Sequence, residues 1–254
     1  MGWVIDSFLD DRIPRMARHR GHFDQLFITD VEMVDNWAAQ TGATTAWLPF
    51  GSDVLSQPSM PTERPVDLLR VGRQPEAWDD NGSTALAAER LGLRFSAGPP
   101  IDPDPARNQE ALLAAMRSSK LTLSFTNLVS PATYTHPTRD YVTGRWTDAL
   151  ASGAAVAGVA PTCEAGTRML WEDGLVRLPD TDRDGGLDVI AHAVRSWSPE
   201  KSDAIHLEAL RTLDWRHRFR ELAACVDLQS AKLEDEIARL QTRIDSLAGG
   251  PRLG

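Results

Sequence analysis

The chain has 254 residues, 42% of them apolar and 25% charged, which is the balance of a soluble globular protein long enough to bury a core. Its net charge of −9, with no compensating basic patch, argues against a nucleic-acid-binding role. No signal peptide and no apolar run of about 18 residues is present, so no membrane span is expected.

In chain order, residues 1–58 hold three short strand-like runs, GWVID, DQLFITD and TTAWLPFG. A basic stretch at residues 12–20 (RIPRMARHR) lies between the first two and reads as a solvated helix face. The polar, proline-bearing segment GSDVLSQPSMPTERP then reads as a linker. Residues 59–213 alternate strand and helix signals. VDLLRV precedes a helix over 83–91, LRFSAG a helix over 106–118, and LTLSFT an irregular loop over 127–139. A helix over 141–152 leads into the strand AAVAGV, and LVRLP is followed by helices over 187–197 and 201–213. Strands separated by helices of this length predict βαβ units: an α/β fold with a Rossmann-like, mostly parallel sheet flanked by helices. Right-handed crossovers would bring the loop at Gly72 and the helix start at Gly144 to the carboxyl ends of strands, where open α/β sheets bind ligands.

Residues 214–249 read as one long helix. Within it Val226, Leu233, Ile237, Leu240, Ile244 and Leu247 recur at spacings of four and three, with Ser230 filling a gap. This narrow stripe predicts a coiled coil and a homodimer through residues 226–247; packing back on the chain's own domain is the competing arrangement.

Four groups of residues can carry chemistry. Gly72-Arg73 directly follows a strand, where glycine permits close backbone approach and arginine can grip diphosphate oxygens. Thr143-Gly144-Arg145 opens a helix; a cation there opposes the helix dipole, so its presence points to a bound anion. Asp148 lies among apolar neighbours one turn along, at the depth where an acid can reach a ribose hydroxyl. The loop NLVSPATYTHPTRD contributes His136, Thr138 and Arg139, and Tyr141 follows it, as candidates for base or phosphate contacts. No histidine is paired with cysteine or carboxylates at ligand spacing, so no metal is expected. Cys163 and Cys225 form no disulfide framework, which suits a reducing, cytoplasmic setting.

Together these residues resemble the carboxyl-terminal, donor-binding half of a GT-B glycosyltransferase, in particular the glycosyltransferase group 1 and CgeB-like spore-maturation families. WVIDS, FDQLFITD and TAWLPFGSD look like the end of those enzymes' amino-terminal domain, and LLRVGR like the opening strand with its phosphate loop. TGRWTDALASGAAVAG looks like the donor motif, while EAGTRMLWEDGLVRLPD and LRTLDWRHRFRELA look like the closing strand and helices. The likeness covers roughly residues 1–225 and rests mainly on the donor motif. Three departures accompany it: Asp148 stands where the family more often has glutamate, no lysine follows Arg73, and the amino-terminal domain is truncated.

The resemblance implies transfer of a sugar from a nucleotide-sugar donor to an unidentified acceptor, without metal or cofactor. Gly72, Arg73, Arg139, Thr143, Gly144, Arg145 and Asp148 would bind the donor, and His136 and Arg145 would be catalytic. The alternative is a non-catalytic nucleotide-binding or structural module that dimerises through residues 226–247. A sugar-nucleotide epimerase is a remoter reading, since it needs an amino-terminal catalytic domain.

Overall fold

Runs of four or five apolar residues become parallel strands when a helix carries the chain back between them. The computed structural model describes residues 1–8, 13 and 19–249, and among these the chain forms two such sheets. Most of the basic stretch at 12–20 lies outside the described residues.

The first sheet is built from β1 (Gly2–Val4), β2 (Gln25–Ile28) and β3 (Thr44–Trp47), in that order and all parallel. Helix α1 (Val34–Thr41) links β2 to β3 and buries Trp37 against Leu26, Ile28 and Met33. The Trp37 indole N–H donates to Ser7 O at 2.8 Å, so the ring also fastens the chain that leaves β1.

The second sheet has five parallel strands: β4 (Val66–Arg70), β5 (Phe95–Ser96), β6 (Ser119–Leu123), β7 (Ala155–Gly158) and β8 (Leu175–Arg177). Their spatial order is β5-β4-β6-β7-β8. Helices α2 (Glu76–Asp79) and α3 (Asn81–Arg90) connect β4 to β5, and α4 (Pro105–Arg117) crosses over to β6. Helix α5 (Gly144–Ala151) joins β6 to β7, and α6 (Glu164–Met169) joins β7 to β8. Helices α7 (Arg183–Arg195) and α8 (Pro199–Thr212) follow the last strand.

The three central strands, β4, β6 and β7, are buried on both faces, as parallel strands under two helix layers must be. Leu69, Val71 and Val156 enter a core shared with Trp146, Leu150, Ile205 and Leu210, whereas Leu68, Leu121, Leu123 and Phe125 enter the opposite one with Trp78, Leu187 and Ile190. Each large apolar side chain so buried contributes about 1.5–3 kcal/mol.

Helix α5 ends where the sequence breaks at Ser152-Gly153. Gly153 adopts a left-handed φ of 67°, and Ala154 N–H closes back on Ala149 O at 3.0 Å. A Cβ there would come within 2.8 Å of Arg64 Nη2 and closer still to Ser202 Oγ, so the turn requires glycine.

The terminal region departs from the expected single helix. It forms α9 (Trp215–Cys225) and α10 (Ala231–Gly249), separated at residues 226–230. Asp227 is left-handed, with φ 51°, and Leu228 N–H bonds Ala223 O at 2.8 Å, which closes α9 with a helix-ending turn. Asp tolerates that conformation, so no glycine or proline marks the break. The later half of the stripe packs within the chain: Leu240 and Ile244 are buried with α8 residues Ile205 and Leu210, and Leu247 packs on the same core, whereas Val226, Leu233 and Ile237 stay only partly buried. No helix among the described residues is long and apolar enough to cross a membrane.

Candidate functional site

After β4 the chain turns outward to β5, then returns to pair β6 on the other side of β4. This reversal makes the carboxyl ends of β4 and β6 a topological switch point, the usual ligand position in such sheets. Gly72-Arg73 leaves the end of β4, and α5 begins at the same edge of the sheet after the loop that follows β6.

Four of the expected residues meet here around Arg145. Its Nε donates to Thr143 Oγ1 at 3.2 Å and its Nη1 to Arg73 O at 3.3 Å. Gly72 has a left-handed φ of 70°, and a Cβ on it would lie 2.9 Å from Arg145 Nη1, so glycine leaves room for this guanidinium. Arg73 donates from Nε to Ser130 O at 3.2 Å and from Nη1 to Tyr134 Oη. Among the described residues neither Arg73 nor Arg145 forms an ion pair, and Nη2 of each has no hydrogen-bond partner.

Arg145 is thus placed against three unfavourable terms. Burial lowers its pKa first, and the like charge of Arg73 lowers it further. The guanidinium also stands in the first turn of α5, whose N-terminus carries partial positive charge. Thr143 makes no side-chain cap, and no acceptor among the described residues meets the N–H groups of Gly144 and Arg145. Two undirected guanidinium ends and an uncapped helix N-terminus offer positive charge and N–H donors, the chemical complement of an oxyanion.

Asp148 lies one turn along the same helix, and its Oδ2 is 3.7 Å from the position a Cβ on Gly144 would occupy. Its carboxylate is already engaged: Ser52 Oγ donates to Oδ1 at 2.5 Å and Gln109 Nε2 to Oδ2 at 3.1 Å. Burial pushes its pKa up, and those two bonds offset the effect only in part.

His136 and Arg139 are positioned differently from the arginine pair. The His136 Nδ1 accepts the backbone N–H groups of Thr138, at 3.2 Å, and Arg139, at 3.0 Å. The ring therefore braces its own loop, and this pattern assigns the proton of the neutral imidazole to Nε2. The Arg139 side chain runs toward the first sheet, where its Nη1 meets Met33 Sδ and its charge acts on Asp30.

The sequence reading missed three contributions. Tyr134, 62% exposed, lies with Arg73 Cζ 4.9 Å from its ring centroid. Ser52 and Gln109 capture Asp148 from the linker and α4. Phe8, from the loop after β1, stacks on Tyr141 with ring centroids 3.8 Å apart, bringing the first sheet to the rim of the site. Tyr134 and Tyr141 are the chain's only two tyrosines, a scarcity that was the available signal for the former.

Two clefts elsewhere are lined by none of these residues. One of about 500 Å³ lies between α9 and α10, beside Phe219, Leu228 and Leu233. Another of about 1090 Å³ lies at the amino ends of β6 to β8, beside Trp171, Trp197 and Glu208. The arginine site is thus marked by its charge and its place in the topology. Among the described residues no group of three or more His, Cys, Asp or Glu side chains is arranged to hold a metal ion. No family model matches the chain, and no curated protein matches it significantly.

Proposed function

We propose that the chain binds a nucleotide-diphosphate sugar and transfers the sugar to an acceptor, as a glycosyltransferase of GT-B type. The observation that carries this reading is the Arg73–Arg145 pair, two neighbouring cations that form no ion pair among the described residues and lie at an uncapped helix N-terminus. Leaving one guanidinium half-buried beside another is costly for the free protein, and a diphosphate removes that cost. The paired parallel sheets, meeting through Phe8 and Tyr141, agree with a donor held at the edge of the larger sheet.

The chemistry expected is stabilisation of charge by preorganised donors. Negative charge grows on the departing diphosphate as the glycosidic bond breaks. Arg73, Arg145 and the first N–H groups of α5 receive that charge without needing to reorient. His136, with its Nδ1 already filled, would act through Nε2–H as a hydrogen-bond donor. Its tautomer suits donation to a leaving oxygen better than proton abstraction from an acceptor.

Calorimetry with UDP, GDP and their sugars tests the reading. Binding that weakens in Arg145→Met supports it, and no binding of any nucleotide at millimolar concentration refutes it. The engaged carboxylate of Asp148 favours a second reading, a nucleotide-diphosphate-binding module without transfer. Slow hydrolysis of the donor sugar, abolished in Arg145→Met, would eliminate that second reading.

A further inference from the structure

Three aromatic side chains among the described residues are substantially exposed: Trp3, Tyr134 and Phe219. Trp3, on β1, and Phe219, on α9, both contact Trp215, with centroids 5.7 and 6.1 Å apart, and so belong to one aromatic group. Tyr134 stands apart from them, at the carboxyl edge of the larger sheet. Arg73 lies over one face of its ring and also bonds its hydroxyl, while 62% of the residue remains open to solvent.

The loop beneath holds this ring in place. Thr135, next in sequence, is 9% exposed, and its Oγ1 bonds both the N–H of Ala132, at 3.0 Å, and the O of Ala132, at 2.9 Å. Asn127 Nδ2 donates to His136 O at 3.0 Å and to Arg139 O at 2.8 Å, tying the loop's far side to the end of β6. Arg73 closes the frame through Ser130 O. An exposed ring fixed at its edge and backed by a cation presents one free π-face.

We propose that this free face of Tyr134 is the platform on which the base of a nucleoside diphosphate stacks while Arg73 and Arg145 hold its diphosphate. The inference rests on the proposed nucleotide-binding reading and names the part of the ligand that reading leaves unassigned. Arg73 connects the two subsites, since the guanidinium that backs the ring also keeps Nη2 available for a phosphate oxygen. Stacking requires only a π-face, so the platform accepts pyrimidine and purine alike.

The test compares wild type, Tyr134→Ala and Tyr134→Phe in calorimetry with three probes: UDP, GDP and inorganic pyrophosphate, which has no base. Tyr134 is exposed, and equal melting temperatures will show that the variants are folded. Tyr134→Ala is expected to weaken UDP and GDP roughly 5- to 150-fold, the range of one base–aromatic stack. Pyrophosphate affinity should stay within about twofold, and Tyr134→Phe should retain most of the nucleotide affinity because the ring persists. Unchanged nucleotide binding by Tyr134→Ala overturns the platform while leaving the diphosphate site standing. An equal loss for pyrophosphate and nucleotide also overturns it, since the residue would then act only by positioning Arg73. Failure of wild type to bind any of the three probes removes the underlying reading itself.

Discussion

Arg145→Met should stabilise the free protein while disabling its ligand site. The cation opposes the α5 dipole, which costs about 0.3–1 kcal/mol in a first helical turn. Repulsion from Arg73, close enough to lower the Arg145 pKa, adds on the order of 1 kcal/mol. Releasing the buried charge regains a further amount on the order of 1 kcal/mol. Against this stand two lost hydrogen bonds, to Thr143 Oγ1 and Arg73 O, at about 0.5–1.5 kcal/mol each. Methionine fills similar volume, so no large cavity term enters. The balance is a gain of about 1 kcal/mol, or a melting temperature higher by about 2–4 °C for a chain of this size. Pyrophosphate or UDP affinity should fall by about 1.5–3 kcal/mol, the worth of a charge-assisted bond. Thermal denaturation and calorimetry on the same preparations give both numbers. A lower melting temperature together with unchanged anion affinity would show that Arg145 is a structural side chain and that no anion site exists here.

Arg64→Met should do the opposite. That guanidinium is 2% exposed and donates to Met116 O, Ser119 O, Ser152 O and Ser202 Oγ, gathering the carboxyl ends of α4 and α5, while burial pulls its pKa down to about 10. Its removal strands those acceptors, and chemical denaturation should report a loss of about 3–5 kcal/mol; a loss under about 1 kcal/mol contradicts the network. Cys163 and Cys225 should separate in a timed labelling experiment at pH 8. Burial pushes the Cys163 thiol up to about 12, leaving it un-ionised, whereas Cys225 is exposed, so one rapid and one very slow modification are expected. Asp67 should contribute to the acid limb of stability. Burial alone would raise its pKa, but the bonds from Arg94 and Lys120 outweigh that and hold it at about 2, below its ordinary 3.8. Its contribution is therefore complete above about pH 4 and lost as pH falls through 2; Asp67→Asn should flatten urea-measured stability across that window. A wild-type slope there no steeper than the variant's would refute the assignment.

Much of the architecture could be read because its causes are local. VDLLRV, LTLSFT and AAVAGV are short apolar runs between polar breaks, and they became β4, β6 and β7 within a few residues of the expected limits. Thr143, in extended backbone, and Ser152-Gly153, with its left-handed glycine, bracket α5 through local backbone conformation alone. The break at Asp227 escaped notice because aspartate carries no strong signal for a left-handed turn, and the heptad spacing of α10 does not say which surface it will meet. Leu240 and Ile244 would suit a partner helix or a domain core equally, and in the fold they meet α8, a neighbour that heptad spacing does not name.

The composition of the candidate site was legible, but its pairings were not. Sequence by itself determined the parallel strand order's raw material, the helix start at Gly144 and the presence of two arginines near it. Tertiary structure decided that Arg145 would lie against the Arg73 backbone, 72 residues away, and that Ser52, 96 residues from Asp148, would occupy that carboxylate. It also decided that Tyr134 would lean on Arg73 across 61 residues. Periodicity and turn chemistry record how each segment folds and which face is buried. A charge's partner depends on where crossovers bring distant segments, and only the folded chain contains that information.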